Sequence, residues 1–142
     1  MIDANLKQMS FAILDRLQGI PEPPVPTEEE FPLPAWYRAV RGLPLGELGV
    51  ANIARACRQK IHLEQVVPLA LELLESEPLA GELYDGELMV SLKSVPLIYW
   101  SKHDVERRSL TSVVSALLTM ESVEADIRQD AEELLGKLLP IQ

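Results

Sequence analysis

Cysteine occurs once in this chain of 142 residues, at position 57, and histidine only at positions 62 and 103. A single thiol excludes an intrachain disulfide, and nothing points to an oxidising compartment. The two histidines lie far apart, outside any HExxH or paired Cys and His spacing, so neither a metal site nor a catalytic pair is expected from them. Lysine and arginine are missing from Ile61 to Leu92, a stretch that holds seven carboxylates. No window approaches the roughly 18 uncharged apolar residues that a membrane span needs. The opening Met-Ile-Asp-Ala-Asn has neither a basic n-region nor a continuous apolar h-region, which argues against a secretory signal and for a cytoplasmic protein. There is no Gly-rich phosphate loop, GxSxG elbow or Walker lysine: Gly42, Gly46 and Gly49 are separated by apolar residues and precede no GK[ST]. A non-enzymatic protein without metal or cofactor is the reading these absences favour.

What is present is a core-forming composition. Hydrophobic residues make up 47% of the chain, enough for one domain spanning residues 1–142. Twenty-two acidic against 13 basic residues leave a net charge of −9, which opposes binding to nucleic acid or to an anionic leaflet and favours a basic protein partner.

Apolar residues recur at helical spacing along most of the chain. Ile2, Leu6, Met9, Ile13, Leu14 and Leu17 predict a first amphipathic helix, stopped by Gly19 and Pro21. Residues 21–34, PEPPVPTEEEFPLP, carry six prolines and four glutamates and read as an extended strap, its end pinned to the core by Phe31 and Leu33. Pro34–Arg41 predicts a short helix with Trp36 and Val40 inward. Ile53, Ala54, Ala56 and Cys57 then form the inner side of another. His62–Ser76 predicts a largely buried helix, in which Pro68 calls for a kink or a start near Gln65 to Val67. Asp85 is the expected N-cap for a helix over Gly86–Lys93. Pro96 opens a short helix with Tyr99 and Trp100. Leu110 to Leu118 and Val123 to Leu138 close the chain as two more amphipathic helices. No apolar and polar alternation of strand length appears. The expected fold is therefore all-α, about six or seven helices packed as antiparallel pairs, with the Pro-rich strap across the surface.

Ile61–Leu92 reads as a packed helical pair with an acidic skin, because its Leu, Val and Ala pattern is that of buried helix. A disordered acidic tail would lack that periodicity. The carboxylates could supply a general acid and base, but nearly all fall on polar helix faces, where solvation is the simpler account. Cys57 reads as a small core residue. Trp36, Tyr37, Tyr84, Tyr99 and Trp100 read more readily as core or junction packing than as partner contacts. Arg38, Arg41, Arg55, Arg58 and Lys60 make the middle of the chain locally basic and either give it a second electrostatic side or pair with its own acids.

Gln65, Pro68-Leu69-Ala70-Leu71, the Leu and Glu run to Glu75, Pro78, Tyr84-Asp85-Gly86-Glu87-Leu88-Met89 and Tyr99-Trp100 stand in an order that resembles the all-helical immunity proteins of bacterial contact-dependent growth inhibition systems. The upstream VANIARACRQ extends the resemblance to roughly residues 43–100. Met89 replaces the usual second leucine, and the strap and the C-terminal region fall outside the pattern. The resemblance implies a cytoplasmic protein that neutralises the C-terminal toxin domain delivered by a sibling cell, often a nuclease with a basic substrate surface.

Two acidic surfaces are candidates for that partner. One is Glu72, Glu75, Glu77, Glu82 and Glu87. The rival, on the last helix, is Glu124, Asp126, Asp130 and Glu133. A helical adaptor or regulatory subunit for an endogenous basic protein is the alternative function, and a small hydrolase using a hidden carboxylate pair is a third.

Overall fold

The computed structural model describes residues 4–24 and 31–141, and among them all regular structure is helical. The backbone gathers into two compact units, Met1–Leu48 and Gly49–Gln142. Ile2, and Val25 to Glu30 of the strap, lie outside the described residues.

The first unit holds α1 (Ala4–Gln8), α2 (Phe11–Leu17), α3 (Pro32–Val40) and a single 3-10 turn at Leu45–Glu47. The one long N-terminal helix expected from the apolar stripe is two. Ser10 is extended, and its Oγ accepts a hydrogen bond from the Ile13 amide at 3.2 Å, so the serine caps a new helix instead of continuing the old one. Phe11 and Leu14 are buried. Tyr37 stacks on Phe11 with ring centroids 5.5 Å apart, and its hydroxyl donates to Asp15 Oδ2 at 2.7 Å. Burial, then this bond to Asp15, pushes the phenol well above its ordinary value.

Helix α3 starts two residues earlier than the proline pattern suggests. Pro32 and Pro34 sit in its first turn, where a missing N–H costs no helical hydrogen bond. Phe31 does not pin the strap: it is 81% exposed, just outside the helix. The described strap is held by cations instead. Arg38 Nη2 donates to the Pro24 carbonyl at 2.5 Å, and Arg41 Nη1 lies 3.6 Å from Glu22 Oε1.

The second unit contains α4 (Val50–Arg58), α5 (Leu63–Ser76), α6 (Glu87–Leu92), α7 (Leu97–Lys102), α8 (Asp104–Leu118) and α9 (Ala125–Leu138). Nine α-helices thus appear among the described residues where six or seven were expected. Ile53, Ala54, Ala56 and Cys57 line the inner face of α4 as their spacing required, and α4 packs on both α5 and α6. Helix α8 packs on α9 and α5. Ile127, Ala131, Leu134 and Leu138 are the buried stripe of α9. Helix α5 begins at Leu63 and runs through Pro68. The proline removes one donor, to the Glu64 carbonyl, close to the helix start, while Val66, Val67, Leu69, Ala70, Leu71 and Leu74 are buried along the same helix.

Candidate functional site

Between α5 and α6 the chain makes a tight loop, Gly81-Glu82-Leu83-Tyr84-Asp85-Gly86, and both glycines are required by its geometry. A Cβ on Gly81 would sit 2.0 Å from the Tyr84 carbonyl oxygen and 2.8 Å from Glu87 Cβ. Gly86 has φ +86 and takes the N-cap position of α6 that Asp85 was expected to fill. Its amide donates to Leu79 O at 2.9 Å, and Leu88 N donates to Ala80 O at 3.1 Å, closing the loop at its base.

Glu87 locks the loop from inside. The side chain is 1% exposed, and its Oε1 accepts from the amides of Glu82 at 2.9 Å and Leu83 at 3.3 Å. Oε2 lies 3.8 Å from Arg58 Nη1 on α4. That guanidinium also donates to Ser91 Oγ at 2.9 Å, and the serine hydroxyl donates to the Glu87 carbonyl at 2.8 Å. A buried carboxylate is costly unless paired and hydrogen-bonded, and this one has both kinds of partner. The loop so held turns Leu83, Tyr84 and Asp85 outward, with Leu83 78% and Tyr84 52% exposed.

Beside the loop lies a groove of about 500 Å³ lined by Tyr84, Asp85, Glu124, Asp126, Ile127 and Asp130. Glu124 is the extended N-cap residue of α9, and Asp126 and Asp130 are four apart on one side of the helix. Acidic residues are favoured at a helix N-terminus by the exposed amides there. Ile127, buried, packs where a Cβ on Gly86 would be in ordinary contact. Asp130 Oδ1 accepts from Lys93 Nζ at 3.1 Å, and Glu133 Oε2 accepts from the same ammonium at 2.5 Å. The bond to Glu133 raises the Lys93 ammonium above its ordinary value, and the same bond lowers the Glu133 carboxyl below the usual carboxylate range.

The two surfaces suggested by the sequence are therefore redistributed. Glu87 is not outward: the return of the loop over α6 buries it. Glu72 is half-buried on α5. Glu75 accepts from Ser109 Oγ on α8 at 2.7 Å, and Glu77 accepts from the Leu79 amide at 3.1 Å just beyond the C-cap of α5. Glu82 is exposed at the start of the loop. Of the rival set, Glu124, Asp126 and Asp130 line the groove, while Glu133 is tied to Lys93 and Gln129. Tyr84, read from the sequence as packing, and Asp85, read as a cap, line the groove. The signal was local: six residues bounded by glycines give a tyrosine little to pack against.

Asp85, Glu124 and Asp126 are exposed, whereas a general acid relies on a carboxyl removed from water. Among the described residues of this unit the buried carboxylate is Glu87, and its oxygens are engaged. Cys57 is fully buried, and desolvation pushes its thiol up to about 12. His103 is a helix-junction residue, stacked on Tyr99 at 3.8 Å with Nδ1 2.8 Å from the Tyr99 carbonyl. His62 sits at the left-handed N-cap position of α5. Arg58 pairs with Glu87 and Arg41 with Glu22, each within its own unit. Among the described residues no group of three His, Cys, Asp or Glu is placed to hold a metal ion, and no helix is long and apolar enough to cross a membrane.

Residues 19–110 match the family model described as CDI immunity proteins. The matched span includes α3 to α7, the Gly81–Gly86 loop and the Glu87 clamp, and it ends within α8. One wall of the groove thus lies inside the match, while Glu124, Asp126, Ile127 and Asp130 lie beyond it. No curated protein matches the chain.

Proposed function

The chain belongs to the CDI immunity proteins, and from that premise we propose that it binds and neutralises the C-terminal toxin domain of a contact-dependent growth inhibition effector. The toxin is a nuclease, and the meeting surface on this chain is the groove between the 81–86 loop and the start of α9. The observation that carries this reading is the groove itself. Four carboxylates, Asp85, Glu124, Asp126 and Asp130, the last of them shared with Lys93, line one concavity of a chain whose net charge is −9.

A nuclease must hold a polyanion and so presents a basic surface. Acidic walls facing that surface compete for the same cations, either across the substrate cleft or beside it. At about 4 Å a single pair is worth roughly 1 kcal/mol in water and about 4 kcal/mol at the lower effective dielectric of an interface. Several such pairs, attracted over a Debye length of about 8 Å at physiological salt, raise the association rate and set its salt dependence. Neutralisation takes place in the cytoplasm, where a delivered nuclease meets its substrate.

The test uses the purified chain and the toxin domain encoded beside it. Binding at submicromolar concentration, with stoichiometric loss of nuclease activity, is the expected result. Absence of binding at micromolar concentration would refute the proposal.

A further inference from the structure

The loop that carries half of the groove also carries an apolar pair. Leu83 and Tyr84 are neighbours at 78% and 52% exposure. Singly exposed apolar residues are ordinary on protein surfaces. These two are adjacent, and they are held in place by a buried carboxylate, two glycines without room or freedom for a side chain, and a closed hydrogen-bonded base. A flexible loop would let its apolar side chains fold back onto the surface. This one keeps both exposed, and Tyr84 lines the groove together with four carboxylates.

From this arrangement we infer that the Gly81–Gly86 loop is the apolar anchor of the toxin complex, with Leu83 and Tyr84 entering a hollow on the toxin domain rimmed by arginine or lysine side chains. The inference rests on the proposed function and deepens it by assigning two roles within one surface. The carboxylates of the groove steer and orient the basic rim, an effect carried by the association rate. The apolar pair excludes water at the centre of the contact and sets the dissociation rate, as buried aromatic and aliphatic anchors do in other interfaces. Charge complementarity chooses the occupant: Tyr84 shares its groove with Asp85, Glu124, Asp126 and Asp130, so the loop rejects an acidic surface and accepts one whose hollow is edged by cations. Tyr84 belongs to both parts, since it lines the groove and stands exposed on the loop, where its ring face can also receive a cation. Glu87 is a positioning residue. It touches no partner, but its oxygens hold the Glu82 and Leu83 amides and so fix the direction of the pair beforehand, which spares the complex the entropy of ordering the loop.

The experiment measures association and dissociation of the full chain with the toxin domain encoded beside it, at low and at physiological salt. The L83S/Y84S variant, altered only at exposed positions, should melt like the wild type. It should dissociate at least ~30-fold faster, with an association rate and salt slope close to wild type. The D85N/E124Q/D126N variant should do the opposite, losing association rate at low salt and flattening the salt dependence. Under conditions where far-UV circular dichroism shows it folded, E87A should reproduce the fast dissociation with Leu83 and Tyr84 intact, and E87Q should largely restore the slow rate. If the wild type binds but L83S/Y84S dissociates within threefold of it, the loop is not the anchor and the immunity reading stands alone. If the wild type does not bind, both readings fall. A folded E87A that dissociates like the wild type would remove the positioning role.

Discussion

Replacing Glu87 by alanine should be among the most destabilising changes at a charged position of this protein. The carboxylate accepts hydrogen bonds from the Glu82 and Leu83 amides and faces Arg58 at 3.8 Å. A hydrogen bond to a charged group contributes about 1.5–3 kcal/mol. Both donors belong to exposed residues, so their amides recover part of that from water when the loop loosens. Arg58 is 38% exposed, and an ion pair of that kind is screened to about 1 kcal/mol or less. The expected loss is therefore about 2–4 kcal/mol for Glu87→Ala, most of it from the two amides. For Glu87→Gln it is about 1 kcal/mol, since an acceptor oxygen is kept and only charge is lost. With total stabilities of about 5–15 kcal/mol and a urea m-value of about 1–3 kcal/mol/M, the alanine variant should unfold at a urea midpoint lower by about 0.7–4 M. A double-mutant cycle with Arg58→Met should give a coupling below about 1 kcal/mol. A Glu87→Ala loss under about 1 kcal/mol, or a glutamine variant no better than alanine, would refute the clamp.

Gly81→Ala places a Cβ 2.0 Å from the Tyr84 carbonyl oxygen, so the loop must shift; a cost of about 1–3 kcal/mol is expected from thermal melting, and an unchanged melting temperature would show that the loop yields freely. Cys57, its thiol pushed up to about 12 by burial, should resist a thiol-specific disulfide reagent at pH 8 in the native state and react fully in denaturant. The unfolded thiol titrates near its ordinary 9, so the unfolded chain holds fewer protons above that pH and Cys57 lowers stability as pH rises from about 9 towards 12. The Lys93–Glu133 pair raises the ammonium and lowers the carboxyl, so its contribution is complete between their ordinary values of 4.5 and 10.5 and is lost further to either side. Lys93→Ala should accordingly flatten the acid limb of a stability-versus-pH curve, and an identical limb would show the pair to be inert.

The fold class and most helices were legible in the sequence alone, because an amphipathic helix is a local object whose apolar stripe is spaced by its own pitch. The inner face of α4 and the stripe of α9 could be read residue by residue, and so could the resemblance carried by Tyr84-Asp85-Gly86-Glu87 and Tyr99-Trp100. The errors fell where local signals compete. Ser10 fits a helical stripe as well as a cap, and the cap won because its hydroxyl satisfies an amide that a continuing helix would satisfy otherwise. Asp85 is a good cap by type, but the turn needs a positive φ, so the following glycine took the position.

The site depended on what folding brings together. The sequence determined that the chain is helical, acidic and rich in carboxylates around one turn. Only the tertiary structure decided that Glu87 points inward, since that requires the loop amides and Arg58 of α4 to converge on it. Only the tertiary structure set Tyr84 and Asp85 beside Glu124, Asp126 and Asp130, some forty positions further along the chain. Helical periodicity constrains which face of an element is buried, but not which exposed faces of distant elements become neighbours. That is settled by how the buried faces pack, and here packing set three acids of one candidate surface, Glu124, Asp126 and Asp130, beside Tyr84 and Asp85, which belonged to neither.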